Sequence, residues 1–303
     1  MRKFLSFLLI SALITPLASQ AVETVSDPQN RRLKNLISLN HKNLSVSGKG
    51  VVTAVIDTGV NFAVPGLRKN LIQGWNFISK DNTMLDYSGH GTPVAGIVTV
   101  IAPSVTILPL VAFSETGTQA NIVDAAIYAI KHRAAVINLS VTCTEDMLRQ
   151  IRDAVGESQF KKSLLVLSSG NSGTRYPNLQ ERWDNVIVVG ATGLDLPIHS
   201  TSYSVYGDDV DIAAPSGDAG DGIATYAAFS SETHLFNGTS GAAPVVSGTA
   251  ALLKEKYPTA NGADLKKMLL AKSCHSKNIN VFQGRLLNVG HLLGAPYKCP
   301  STK

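Results

Sequence analysis

The sequence predicts one large α/β domain built on a parallel sheet. Three observations lead there. At 303 residues, 44% hydrophobic and 16% charged, the chain can bury a sizeable core and carries too little charge for a disordered one. The run 51–56 is unbroken apolar and β-branched, the pattern of a central parallel strand covered on both faces. Further strand-like runs at 105–112, 134–141, 164–167, 186–191 and 210–214 are interleaved with, or followed by, segments of helical spacing at 92–100, 120–133, 147–157 and 263–272, and one after residue 240 that ends near 256. That alternation is the signature of crossover connections.

Taken in order, Arg2 and Lys3 precede an apolar run at 4–16, and Ser19-Gln20-Ala21 offers small residues where a signal peptidase reads. Residues 1–21 are therefore read as a secretory signal cut after Ala21, and the protein as exported, periplasmic or extracellular. A membrane anchor is the competing reading, but the uninterrupted apolar part falls short of the about 20 residues a span requires. No stable membrane anchor is expected, and the mature protein is expected to be soluble. Loss of Arg2 and Lys3 takes the formal charge from +5 to +3. The remaining basic residues are scattered without interleaved aromatics, which argues against a nucleic-acid partner. A monomer is expected. Of the three cysteines, Cys274 and Cys299 could pair in an oxidising compartment, leaving Cys143 free. Residues 22–49 are polar, with a short helix expected around 30–39.

The strand 51–56 runs into Asp57-Thr58-Gly59. Catalytic groups in open α/β sheets gather at the carboxyl ends of strands, although an Asp opening a turn is common too. A polar loop at 79–88 leads to Ser88-Gly89-His90-Gly91-Thr92-Pro93, where His90 opens a helix and Pro93 fits its first turn. His41, His132, His199, His234, His275 and His291 have no comparable setting and are read as surface or structural. Ser240 lies in Asn237-Gly238-Thr239-Ser240-Gly241-Ala242-Ala243-Pro244, directly before a long apolar run. Its hydroxyl would stand at a helix N-terminus, where backbone N–H groups favour developing negative charge. Alone, that segment equally suits a helix cap.

Together the three stretches place Asp57, His90 and Ser240 in an order known to reach a catalytic triad. At these motifs the chain resembles the subtilisin-like serine proteases, the subtilases, from about residue 48 to about 293. The resemblance implies a three-layer, doubly wound, mostly parallel sheet with helices on both faces, and a catalytic domain at 48–303 behind an N-terminal arm at 22–47. It implies an endopeptidase acting on polypeptide substrate. Asn171, in Ser168-Ser169-Gly170-Asn171, matches the family's oxyanion-hole residue; a turn Asn in a left-handed conformation is the alternative. Ser140, Val141 and Thr142, with Ser168, Ser169 and Gly170, match the strands beside the substrate. Thr142 and Cys143 put bulk where the family usually has glycine. The loop 113–119 matches a segment that pairs with substrate as an added strand. Arg175 matches the region lining the specificity pocket and could favour an acidic residue through an ion pair.

Two departures bear on metal. The calcium-binding insertion common in the family is absent between the His90 helix and the strand at 105–112, and Gly66 stands where the family has a carboxylate ligand. No cofactor and no calcium at this site are expected. The stretch from Val22 to Asp57 is little longer than the arm of such a domain, so no cleaved prodomain is expected. The segment 218–229 is Gly- and Ala-rich and expected at the surface, and 284–289 resembles the family's closing strand. Two rivals stand beside the endopeptidase. An α/β-hydrolase esterase would need its Ser first in the chain within G-x-S-x-G, which fails here. A non-catalytic binding protein on the same scaffold stays open, given Gly66, Thr142, Cys143 and the missing prodomain.

Overall fold

A computed structural model describes residues 28–40, 44–114, 121–141, 143–177, 180–230, 233–295 and 297–300. The expected signal at 1–21 lies outside them, as do His41, Thr142 and most of the loop at 113–119.

A nine-stranded sheet organises the molecule. Its strands are β1 (Val52–Asp57), β2 (Trp75–Asn76), β3 (Thr106–Val111), β4 (Val136–Leu139), β5 (Leu164–Ser168), β6 (Val186–Thr192), β7 (Ile212–Pro215), β10 (Cys274–His275) and β11 (Arg285–Leu286). They lie in the order β10-β11-β7-β6-β5-β4-β1-β3-β2. Every pairing is parallel except β10 with β11. All residues of β4, β5, β6 and β7 are buried, so both faces are covered, as the unbroken apolar runs require. The helices are α1 (Pro28–Leu36), α2 (Pro65–Arg68), α3 (Gly91–Ile101), α4 (Ile122–Lys131), α5 (Glu145–Val155), α6 (Glu157–Phe160), α7 (Thr239–Lys256), α8 (Gly262–Ala271) and α9 (Val289–Leu293). Helix α7 lies along β4 to β7 and packs against α3, while α4 packs on α5 and against β1 and β3. This is the three-layer α/β architecture expected from the resemblance.

Most expected elements fall within a few residues of those observed. Helix α1 ends earlier than expected, where Ser38 turns left-handed at φ 55°. The segment 218–229 is a correction. It carries β8 (Ile223–Tyr226), paired antiparallel with β9 (Thr233–Phe236), and Ile223, Ala224 and Thr225 are fully buried. Thr225 Oγ1 donates to the Pro93 carbonyl in the first turn of α3 (2.9 Å), and Asn30 Nδ2 of α1 donates to the Ala224 carbonyl (2.8 Å). The small residues that read as a surface loop are small because β8 is sandwiched between α3 and α1, while β9 lies on the exposed side.

Candidate active site

Asp57 ends β1 at the carboxyl edge of the sheet and is 1% exposed. Its Oδ1 accepts from the Thr58 N–H (2.7 Å) and faces His90 Nδ1 at 2.7 Å. That contact fixes the tautomer: Nδ1 carries the proton and Nε2 is left as the basic nitrogen. His90 occupies the N-cap position of α3 without making a side-chain cap bond, because its ring is committed to Asp57. Asp86 does the capping instead. Its Oδ2 accepts from the Thr92 N–H (2.7 Å), and its Oδ1 accepts from the Gly89 N–H (2.8 Å) and the Thr58 hydroxyl (2.7 Å). Gly91 permits the approach, since a Cβ there would lie 2.1 Å from the Gly59 carbonyl.

Burial alone would lower the His90 pKa. The charge of Asp57, the hydrogen bond with it and the charge of Asp86 outweigh burial and raise it above the ordinary 6.5.

Ser240 is the second residue of α7 and lies just inside the surface. Pro244, four residues on, has no N–H, so the Ser240 carbonyl lacks its intrahelical donor. Ser140 Oγ, at the end of β4, supplies one at 3.0 Å. A buried chain stands behind it: Asn138 Nδ2 donates to Ser140 Oγ (3.0 Å), and Ser247 Oγ, one turn beyond Pro244, donates to Asn138 Oδ1 (2.8 Å). The Ser240 hydroxyl itself donates to the Ser140 carbonyl (3.1 Å), not to His90. The structure therefore makes the Asp57–His90 link and holds the Ser240 side chain in a rotamer turned to β4. Phe236 joins the two sides, edge-on to the His90 ring with centroids 5.3 Å apart and 3.4 Å from where a Cβ on Gly241 would stand.

Asn171 is exposed after β5 and is absent from the residues with left-handed backbone, which removes the turn alternative. Its Oδ1 accepts from both the Thr239 N–H and the Thr239 hydroxyl (2.9 Å each), while Thr239 Oγ1 accepts from the Gly170 N–H (3.1 Å). The oxygen is thereby consumed, and the amide presents Nδ2 beside the start of α7.

Ser168 and Ser169 are buried, the latter through a bond from Oγ to the Val205 carbonyl (3.0 Å), so their side chains do not reach the surface. Val141 is partly buried against the core. Two readings of the pocket change. Cys143 does not fill it: the thiol is buried at 3% exposure, 4.0 Å from Met147 Sδ on α5, and burial pushes its pKa up to about 12. Arg175 is 60% exposed and paired with Asp208 (3.2 Å), so an acidic substrate residue would compete with Asp208 for it. Cys274 and Cys299 form a disulfide, and Cys143 is free. Of the other histidines, His132 stacks on Tyr128, His291 on Tyr297, and His199 pairs with Asp218.

The calcium-ligand position does not fit the ion. A Cβ on Gly66 would sit 2.4 Å from the Tyr226 hydroxyl, so the ring of Tyr226 fills the space where the family's carboxylate would project.

Sequence reasoning missed Asp86, Thr239, Tyr203 and Ser216. Only Asp86 left a local trace, an Asp four residues before His90 and six before the helix donor it caps.

The family model described as the subtilase family matches residues 48–290. Thermitase from Thermoactinomyces vulgaris is 33% identical over 227 residues, covering 71% of this chain and 78% of thermitase. Subtilisin Savinase from Lederbergia lenta is 30% identical over 258 residues, 81% of this chain and 91% of that protein. A thermophilic serine proteinase from Bacillus sp. (strain AK1) is 36% identical over 217 residues, 67% of this chain; the match spans only 52% of that relative. Among solved structures, a cold-adapted subtilisin-like serine proteinase superposes with TM-score 0.73 at 23% identity, covering 86% of this chain and 97% of that one. A lanthipeptide protease does so with TM-score 0.74 at 21% identity, covering 90% and 98%. The chain belongs to the subtilase family of serine-type endopeptidases.

Proposed function

We infer that the protein is an exported endopeptidase in which Ser240 attacks the scissile carbonyl, His90 Nε2 takes the hydroxyl proton, and Asp57 holds the ring and stabilises the imidazolium. The observation that carries this reading is the half-buried Asp57–His90 hydrogen bond, set at the foot of a helix that packs on the one bearing Ser240. Attack requires the Ser240 χ1 rotor to turn from the Ser140 carbonyl toward His90, a step between staggered wells. A serine hydroxyl needs such a base near neutral pH. The Asn171 Nδ2 and the Ser240 N–H, an unpaired donor in the first turn of α7, hold the oxyanion of the tetrahedral intermediate. The leaving amine takes the proton from His90, and water repeats the sequence on the acyl-enzyme.

Substrate lies extended between the strand ends at Ser140 and Val141 and at Ser168, Ser169 and Gly170, held by backbone hydrogen bonds that tolerate many side chains. The packing of Tyr226 on Gly66 supports a chemistry that needs no calcium there. Export is supported by the disulfide, which belongs to an oxidising compartment, and by the signal-like segment cut after Ala21.

Labelling with a fluorophosphonate tests the reading. The wild-type protein is expected to take up one probe at Ser240, in the presence of EDTA as in its absence, and Ser240→Ala none. A folded wild-type protein that stays unlabelled would sink it in favour of an inert scaffold.

A further inference from the structure

We propose that Tyr203 and Ser216 are positioning residues for the nucleophile, their two hydroxyls clamping Gly238 from both sides. The proposal rests on the endopeptidase reading and adds residues that it does not use.

Gly238 is the N-cap of α7, two residues before Ser240, with φ 88°. A glycine in the left-handed region has no Cβ to hold it there, so its conformation depends on what its peptide groups bind. Both are committed. Its N–H donates to Tyr203 Oη (3.1 Å), and the same Oη donates to the Gly217 carbonyl. Its carbonyl accepts from Ser216 Oγ (2.7 Å), beside the Gly241 and Ala242 N–H groups of α7 itself (2.9 and 3.3 Å), so the serine fixes from outside a carbonyl that the helix holds from within. Ser216 is fully buried and follows directly on β7. The Ser216 and Gly217 N–H groups both donate to the Thr192 carbonyl at the end of β6 (2.9 and 3.0 Å). The clamp is thus anchored in the sheet and not in a loop.

The residue after the nucleophile is matched to it. A Cβ on Gly241 would lie 2.4 Å from Ser216 Oγ, so the serine hydroxyl stands where a side chain at 241 would begin. With the Asn171 bond to the Thr239 N–H, consecutive peptide groups ahead of Ser240 are fixed from β5, β6 and β7. Release of Gly238 would let its peptide rotate and turn the first N–H groups of α7 away from a developing oxyanion. Neither hydroxyl is free to bind substrate: Tyr203 Oη both donates and accepts, and Ser216 has no exposed surface. Their loss therefore falls on the chemical step and leaves substrate binding intact.

Tyr203→Phe and Ser216→Ala remove the hydroxyls with almost no change of shape. Each is expected to lower kcat, and the second-order rate of fluorophosphonate labelling, by about tenfold, with KM within about twofold and full labelling at completion. Because both act on one residue, the double variant is expected to be little worse than the poorer single. If Tyr203→Phe fails to fold, Ser216→Ala alone decides. Wild-type rates in both variants, or a raised KM at unchanged kcat, would overturn the clamp while leaving the endopeptidase reading intact. An unreactive wild-type protein would overturn both.

Discussion

His90 sits between two opposed influences, the low polarity around its ring and the carboxylates of Asp57 and Asp86, and the carboxylates prevail. In the proposed mechanism His90 must be neutral to accept the Ser240 proton. The acid limb of kcat/KM is therefore expected above the ordinary imidazole value of 6.5, and a pH–rate profile with its lower limb at or below 6.5 would contradict the placement of these charges. Stability runs the other way. A raised folded-state pKa contributes stabilisation that is fully present below the unfolded value and is lost as pH rises through the folded one. The enzyme is thus predicted to gain activity over the range in which this contribution fades. The Asp57–His90 contact was legible in the sequence because glycine-flanked motifs surround both residues, as they do Ser240. Tyr203 and Ser216 were not: each is an ordinary hydroxyl whose meaning depends on meeting Gly238, more than twenty positions on in the chain.

Among the elements, α7 shows how a defect in one hydrogen-bond ladder becomes a connection to another. Pro244 leaves the Ser240 carbonyl without its helical partner, and Ser140, just past β4, takes the vacancy. Ser140→Ala would leave that buried carbonyl unpaired, along with Asn138 Nδ2, and is expected to cost about 1–3 kcal/mol. Urea unfolding at unchanged m-value measures it; a loss under about 0.5 kcal/mol would mean that water replaces the hydroxyl and the link is weak. Pro244 is visible in the sequence just ahead of the apolar run, but nothing there says which strand would answer it. The strands of the sheet were legible because a short, continuous apolar and β-branched run suits little besides a strand buried on both faces. The β8–β9 hairpin was not, because close packing and surface flexibility select the same small residues.

At the scale of the molecule, the tail is held to the body by the Cys274–Cys299 disulfide, which spans 25 residues. The Lys298 carbonyl also accepts from Ser38 Oγ (3.2 Å) just beyond α1, so the bridge ties together segments from opposite ends of the chain. Restricting a loop of that length in the unfolded ensemble stabilises the fold by about 3 kcal/mol. Cys274→Ser with Cys299→Ser is expected to lower the urea midpoint accordingly while the labelling rate at Ser240 stays at wild type. A slowed rate in the folded variant would show that the tail reaches the active site. At the far end of α7, Glu255 Oε2 accepts three N–H groups, from Ser47, Gly48 and Lys49 (2.6, 2.6 and 3.0 Å), fastening the segment ahead of β1.

The position of α7 in the chain has a temporal side. The helix follows all four of the strands it lies along, and its slot is walled by α3 and β4 to β7. On a ribosome, the strands and helix that wall that slot are synthesised before the segment that fills it. Contacts so distant in sequence form late and slowly. In the proposed mechanism, a polypeptide that ends before residue 240 would carry the imidazole and its carboxylate but lack the attacking oxygen.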